Sequence, residues 1–305
     1  KICLQLNDTY DYRSIFVNAT RCVPANIKGR GLVEVGNVYE FQTAIPVKTD
    51  DLNEYINNVS SELLRKSNGR AKGIQTLPEI VNFEFVEPNI NTLSDIPIGV
   101  YTESLEIVKY NFLTKNFNIV SSNLFDDVVP FMRSLIELIS SKKETLKVIV
   151  FDGNSILSDL RSNVTYVKNN YLGALVSFEK FLDKVSEKTK QSLVIFTGLN
   201  KMISSDDRFV QELRNVLNKI EGIDKINVLF IDSANEINSY SNNDWFDVDK
   251  NNGIWISNGI DNQYLINVNK ITRDMREEIP NNFGYVINKG KVNKFKMIEF
   301  FKDEW

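Results

Sequence analysis

Residues 93–305 predict a mostly parallel α/β sheet flanked by helices, and three observations carry that expectation. Four short apolar runs, "KVIVFD" (147–152), "SLVIF" (192–196), "NVLFID" (227–232) and "GIWIS" (253–257), are continuous rather than alternating. Such runs suit strands buried on both faces. Amphipathic stretches lie between them, and repeated strand–helix alternation requires right-handed crossovers onto one sheet.

In chain order, residues 1–46 read as β-rich. "KICLQLND" and "GLVEVGNVYEFQTAIPV" are strand-like, and Gly36-Asn37 supplies a hairpin turn inside the second. Residues 47–92 read as a helix and an extended linker. "DDLNEYINNVSSELLRKSNG" has acidic residues at its start, Arg65 and Lys66 near its end and Gly69 as a stop. The Pro- and Gly-rich stretch that follows, from Gly69 to Gly99, is expected to run over a surface.

The third segment, residues 93–305, opens its α/β pattern with "NFNIVSSNLFDDVVPFMRSLIELI" (116–139), a strand, a turn and a helix. Further on, Leu172, Leu175, Phe178, Leu182 and Val185 form one helical stripe, and Phe209, Leu213, Val216, Leu217 and Ile220 another. Ser205 or Asp206 is the expected N-cap of the second, and Gly222 its stop. The loop "NSYSNNDWFDVDKNNGIW" (238–255) carries Trp245, read as either a contact anchor or a core residue, with the core preferred. Asp244, Asp247 and Asp249 in that loop lack the glycine and terminal glutamate of a calcium-binding loop, so a surface loop is preferred to a metal site.

Composition narrows the chemistry. The 305 residues include 42% apolar and 25% charged residues, with a formal net charge of −4. This is a globular profile without a basic field for nucleic acid. There is no apolar run of membrane-spanning length and no leader pattern; opening at Lys1 without methionine, the chain is expected to be a piece of something longer. Cys3 and Cys22 form no CxxC and suit a reducing compartment, and the sequons at Asn7, Asn18, Asn58 and Asn163 carry little weight. Most limiting is the absence of histidine, which excludes Ser-His-Asp and Cys-His catalysis and His-based zinc sites.

The strand–turn–helix at 116–139 has the shape of a phosphate-binding joint without its residues. A P-loop needs glycines for backbone N–H groups to close on phosphate, a lysine for the β/γ charge and Ser/Thr for magnesium. Here Ser121, Ser122 and Asn123 lead into Leu124, Phe125, Asp126 and Asp127. The two aspartates suit a helix N-terminus and would repel a polyphosphate at a cost of several kcal/mol at low dielectric. The strand end that would hold magnesium and orient the attacking water offers Thr197 and Gly198 in place of carboxylates. Asp152 and Asp232 end neighbouring strands and read as turn-formers rather than metal ligands. No catalytic residue and no metal ligand is therefore assigned. Binding of ATP and magnesium is expected to be weak or absent.

The two ends of the chain also resemble each other. "LQLNDTYDYRSIF" (4–16) parallels "IWISNGIDNQYLI" (254–266), and "GLVEVGNVYEF" (31–41) parallels "GYVINKGKVNKF" (284–295), each pair ordered strand, polar segment, proline, hairpin. Residues 1–46 are accordingly read as the tail of a preceding module and 93–305 as the next module with its own tail.

The ordered landmarks "QLNDTYDYRSIF", "GRGLVEVGNVYEFQTA", "GRAKGIQTLPEI", "IPIGVYTESLEIV" and "GIWISNGIDNQYLINV…REEIPNNFGYVINKGK" together resemble the C-terminal part of the FtsK/SpoIIIE-type motor ATPases of type VII secretion, the EssC/EccC family. The resemblance covers nearly the whole chain and implies a RecA-like P-loop NTPase fold with a degenerate nucleotide site in residues 93–305. It also implies a terminal, non-catalytic motor module, cytoplasmic within a membrane-anchored bacterial parent that hexamerises. Its implied partners are the neighbouring ATPase modules and small helical WXG100-type or other type VII secreted proteins, with no nucleic acid. The alternative is an active or weakly nucleotide-binding FtsK/SpoIIIE-type ATPase domain that powers secretion.

Overall fold

The computed structural model describes residues 1–6, 11–16, 22–44, 47–67, 76–86, 90, 92–114, 117–142, 144–157 and 164–299. The sequons at Asn7, Asn18 and Asn163 lie outside them, as do the helix stop at Gly69 and residues 70–75 of the expected linker. The chain divides into two compact units, Lys1–Ile74 and Gln75–Trp305.

The smaller unit holds β1 (Ile2–Leu4), α1 (Asp11–Ile15), β2 (Arg30–Val35), β3 (Asn37–Gln42) and α2 (Leu52–Lys66). The strands form an antiparallel sheet in the order β1-β2-β3. Gly36 takes φ +75° in the β2–β3 turn, where a side chain would be strained. Period-two alternation sends Cys3 and Leu32 to one face, where Tyr12 and Phe16 bury against them. The Tyr12 hydroxyl accepts a hydrogen bond from the Leu6 amide at 2.6 Å. Helix α2 starts as its sequence demands, with the Asp51 side chain accepting from the Glu54 amide at 2.9 Å, yet it buries none of its residues.

The larger unit is a ten-stranded sheet. Its elements are α3 (Phe83–Val86), β4 (Ile96–Tyr101), β5 (Ile107–Tyr110), β6 (Asn118–Ser122), α4 (Phe125–Ser141), β7 (Leu146–Asp152), β8 (Thr165–Val167) and α5 (Tyr171–Leu182). They continue with β9 (Gln191–Thr197), α6 (Leu199–Ile203), α7 (Phe209–Glu221), β10 (Ile226–Ser233), α8 (Ala234–Tyr240), β11 (Gly253–Ile256), β12 (Phe283–Asn288) and β13 (Lys291–Met297). The strand order is β5-β4-β13-β12-β11-β6-β10-β9-β7-β8. From β11 to β8 every pairing is parallel, and from β5 to β11 every pairing is antiparallel.

The continuous apolar runs are buried on both faces of the parallel half. Val120, Val148, Val150, Ile195 and Ile231 meet Phe131, Leu135 and Ile139 of α4 on one side. Ile119, Phe151, Phe196 and Phe230 meet α5, α7 and α8 on the other. At about 25 cal/mol per Å² of apolar surface removed from water, these two layers are the main stabilising term. Trp245 belongs to the second layer, stacked on Tyr240 with ring centroids 5.8 Å apart, and the Phe246 ring lies tilted against Phe230 at 4.8 Å. No described helix is long and apolar enough to cross a membrane.

Two local expectations are corrected. Helix α7 begins at Phe209 after Arg208, not behind a Ser205 or Asp206 cap. Asp206 instead accepts from the Arg208 amide (2.9 Å) and binds its guanidinium (3.1 Å), a turn closed by charge just ahead of the helix. Gly222 does end α7, at φ −88° and so without the left-handed turn that favours glycine. The stretch from 76 to 93, read as a surface linker, buries Val81, Val86, Ile90 and Leu93 in the α4-side core. The ammonium of Lys296 on β13 donates to the carbonyls of Pro78 and Glu79, and Glu299 N donates to Val81 O at 2.9 Å. Apolar residues scattered among prolines show no period, which is why this packing escapes a sequence reading.

Candidate functional site

In open parallel α/β sheets ligands collect beyond the carboxyl ends of the strands. Here four such ends lie side by side, because β6, β10, β9 and β7 are consecutive neighbours. Ser121 and Ser122 close β6 opposite Asp232 and Ser233 of β10, and Thr197 of β9 pairs with Asp152 of β7. The strand-end residues singled out in the sequence are therefore brought together.

Each has a definite local role. Ser121 is buried and its hydroxyl donates to the Asp232 carbonyl at 2.8 Å, tying β6 to β10. The Ser122 hydroxyl donates to Asp127 Oδ2 at 3.0 Å, so the strand end is bonded into the first turn of α4. Two residues, Asn123 and Leu124, connect β6 to α4. Leu124 is the N-cap and provides no side-chain cap, while Asp126 and Asp127 occupy the first turn, where the helix dipole favours them. Pro130 sits early in the helix, and its carbonyl accepts from the Ser134 hydroxyl at 2.9 Å.

Thr197 is fully buried, and its hydroxyl has no hydrogen-bond partner among the described residues. Gly198 follows at φ +65°. A Cβ there would lie 2.7 Å from the Asn154 amide nitrogen, and one on Gly153 would lie 2.1 Å from the Gly198 carbonyl oxygen. The β7 and β9 loops thus touch backbone to backbone, and glycine is the residue both contacts allow.

The two aspartates diverge. Asp152 accepts the amides of Asn154, Ser155, Ile156 and Leu157 at 2.8–3.0 Å and the Tyr166 hydroxyl at 2.8 Å. Both of its oxygens are committed to folding the turn after β7. Burial, followed by the bond to Asp152, pushes the Tyr166 phenol up from its ordinary value. Asp232 is 1% exposed and, among the described residues, holds two amides, Gly198 (2.7 Å) and Ser233 (2.8 Å), one on each oxygen. Burial raises its carboxyl to about 6, against the opposing pull of those amides.

Asp232 lines a cleft of about 540 Å³ together with Phe125, Asn154, Gly198, Lys201 and Glu236. Asn200, also on its wall, bridges α6 to α8 by donating to Glu236 Oε2 at 2.6 Å. Lys201 is the one cation among these lining residues, facing two carboxylates. The strand-end aspartate at 232 was visible in the sequence, but nothing there separates a turn-former from a cleft-lining group. Asp244, by contrast, pairs with Arg214 at 2.5 Å, and no cluster of three or more Cys, Asp or Glu suited to a metal occurs among the described residues.

The parallel half, with its phosphate-side joint β6–α4 next to β10 and β9, defines a RecA-like P-loop ATPase fold. Among solved structures the chain is similar to EssC (ATPases 2 and 3) from Geobacillus thermodenitrificans, with TM-score 0.66 and 17% identity over 96% of this chain and 59% of that one. It is also similar to the cytoplasmic domain of the type VII secretion ATPase EccC of Thermomonospora curvata, with TM-score 0.58 and 15% identity over 98% and 37%. A third structure, T. curvata EccC (ATPases 2 and 3) in complex with a signal sequence peptide, gives TM-score 0.54 and 15% identity over 92% and 55%. The chain spans less than two thirds of each of these proteins, and at such identities the likeness is one of fold. A scan of protein-family models and a search of curated protein sequences both return no match.

Proposed function

We propose that this chain is a non-catalytic RecA-like module of a type VII secretion motor, placed in the cytoplasm beside other ATPase modules of a membrane-anchored polypeptide. In this reading it recognises secreted proteins or regulates assembly of the motor, and does not hydrolyse ATP. The observation that carries the non-catalytic part is the β6–α4 joint. A P-loop needs about eight residues, rich in glycine and ending in lysine, to wrap a phosphate. Two residues join strand to helix here, and the first helical turn carries Asp126 and Asp127. The serine hydroxyls that remain are directed to Asp232 O and Asp127, not outward as phosphate or magnesium ligands. Thr197 and Gly198 offer no carboxylate to orient water.

The motor assignment draws on the fold likeness to EssC and EccC and on the landmarks in the sequence. Recognition of small helical secreted proteins draws on the EccC structure solved with a signal sequence peptide. The test is calorimetric titration of the chain with magnesium-ATP. The expected result is no saturable heat at millimolar nucleotide, whereas saturable, magnesium-dependent binding would overturn the proposal. Titration with small helical secreted proteins then tests recognition, and absence of binding would leave an assembly role.

A further inference from the structure

The antiparallel half of the sheet carries a second cavity, of about 360 Å³, which shares no lining residue with the cleft beside Asp232. Its walls come from the β4–β5 turn, from β12 and β13, and from a short 3-10 helix, Asp274–Arg276. The Thr102 amide donates to the Lys294 carbonyl at 3.2 Å and holds the turn against β13. Tyr285 of β12 and Lys294 of β13 are directly opposed across their antiparallel pair, so their side chains stand on one face.

Tyr285 is the unusual residue here. It is 2% exposed, its ring belongs to the second core layer, and its hydroxyl has no hydrogen-bond partner among the described residues. A buried hydroxyl left unpaired costs stability, and folded proteins rarely tolerate one without a use for it. Burial pushes the Tyr285 phenol up from its ordinary value, and the charges of Asp274 and Asp261 push it further. The hydroxyl end therefore feels the carboxylate side of the cavity, whose wall includes Asp274.

The charge of that wall is one-sided. Glu103, Glu106 and Asp274 line it against one cation, Lys294, whose ammonium lies 5.4 Å from the Phe283 ring centroid. Such a balance repels an anion. A single metal ion is not suited either, because among the described residues no three Cys, Asp or Glu gather closely enough to hold one. Carboxylates spaced around a cavity whose lining also includes the buried Met275 and Tyr285 suit a cation that carries methylenes. An ammonium has three donors and no acceptor, the complement of these carboxylates and a free phenol oxygen.

We propose that this cavity binds an aliphatic ammonium group. The carboxylates of Glu103, Glu106 and Asp274 attract it, the Tyr285 oxygen accepts one of its hydrogen bonds, and Met275 packs against its methylenes. The group belongs either to a free polyamine or to a lysine side chain of a partner. Such a site works whether or not nucleotide binds elsewhere, so its test and the ATP titration fail separately.

The test is calorimetric titration of the chain at low ionic strength with spermidine and with a blocked tri-lysine peptide of equal charge. Saturable binding is expected, tighter for spermidine if the ligand is a free polyamine and tighter for the peptide if a partner supplies the lysine. Hexamethylenediamine should bind at least about tenfold tighter than hexamethonium, its permethylated analogue with no N–H to donate. Tyr285→Phe keeps the ring and should weaken hexamethylenediamine by at least about fivefold. Glu103→Gln combined with Glu106→Gln, at two exposed positions that keep the fold, should weaken it by about tenfold or more. Glu187→Gln combined with Asp207→Asn, equal in charge but outside the cavity, should change it less than about twofold. Absence of saturable heat with every amine would overturn the proposal. So would equal affinity for hexamethonium, or an equal loss from the two charge-matched pairs, since either would reduce the effect to general attraction of cations.

Discussion

Asp232 shows how one buried side chain couples the site to pH. Its carboxyl sits at about 6 in the folded chain against an ordinary 3.8. Between those values the folded state holds a proton that the unfolded chain has released. The group's contribution to stability is therefore complete below about pH 3.8 and is lost as pH rises through 6. The shift of about two units corresponds to about 3 kcal/mol. In Asp232→Asn the side chain stays neutral at every pH. Denaturant unfolding at pH 4, 5, 6 and 7 should show the stability of wild type relative to the variant falling by up to about 3 kcal/mol across that range; a constant difference would mean the carboxyl titrates normally. Gly198 is the second residue-scale test. At φ +65° and with the Asn154 amide 2.7 Å from any Cβ, Gly198→Ala should lower stability by roughly 1–3 kcal/mol, read from its denaturant midpoint.

Among the elements, the turn after β7 depends on a single carboxylate. Asp152→Ala would strand four amides and the Tyr166 hydroxyl, a loss of about 3–5 kcal/mol, and would release the Tyr166 phenol to titrate lower in an ultraviolet pH scan. The attachment of residues 76–81 is the other element-scale prediction. Lys296→Met keeps the aliphatic stem but removes the bonds to Pro78 and Glu79, so stability should fall by about 1–2 kcal/mol and protease cleavage near Pro78 should accelerate. These elements differ in how far the sequence reveals them. Strands β7, β9, β10 and β11 are legible because burial on both faces leaves unbroken apolar runs. Strand β4 is not, although it is wholly interior to the sheet. Pro97 and Gly99 make it read as a turn, and in the structure they flank the register shift with β5. Gly99 is there because a Cβ would meet the Lys296 carbonyl oxygen at 2.1 Å. Ser121, Ser122, Thr197 and Gly198 were legible as strand ends; the backbone contact between Gly153 and Gly198 was not, since it joins loops 45 positions apart.

For the whole molecule, the two units have cores of very different size. Among the described residues the apolar cluster of the smaller one consists of Cys3, Tyr12, Phe16 and Leu32, with three partly buried neighbours, little apolar area for a self-sufficient fold. Tyr12→Ala removes its largest buried ring and the acceptor of the Leu6 amide. It should abolish exchange protection in β1–β3 while the melting transition of the larger unit stays within about 1 °C of wild type. Loss of protection throughout both units would instead mean that they unfold as one. The likeness of β1–β3 to β11–β13 was readable in the sequence as paired landmarks, but two residues out of step in the first strand: the landmarks set Leu4 against Ile254, whereas Leu4 lies opposite Gly31 and it is Ile256 that lies opposite Gly284. What was not readable is the cover of one face, because a buried valine and a half-buried one are written with the same letter. Val286 and Phe295 lie in the α4-side core, whereas Val33 and Phe41, in the matching positions, are half-buried.

A chain without histidine is nearly silent to acid–base titration just below neutrality. Against that quiet background a buried carboxyl near 6 is an intrinsic indicator. Proton uptake between pH 5 and 7, counted by potentiometry, should be greater in the wild type than in Asp232→Asn by close to one proton, and the difference needs no label. Anything that enters the cleft beside it, whether cation, anion or apolar side chain, will move that uptake in a direction set by its own charge and the water it displaces.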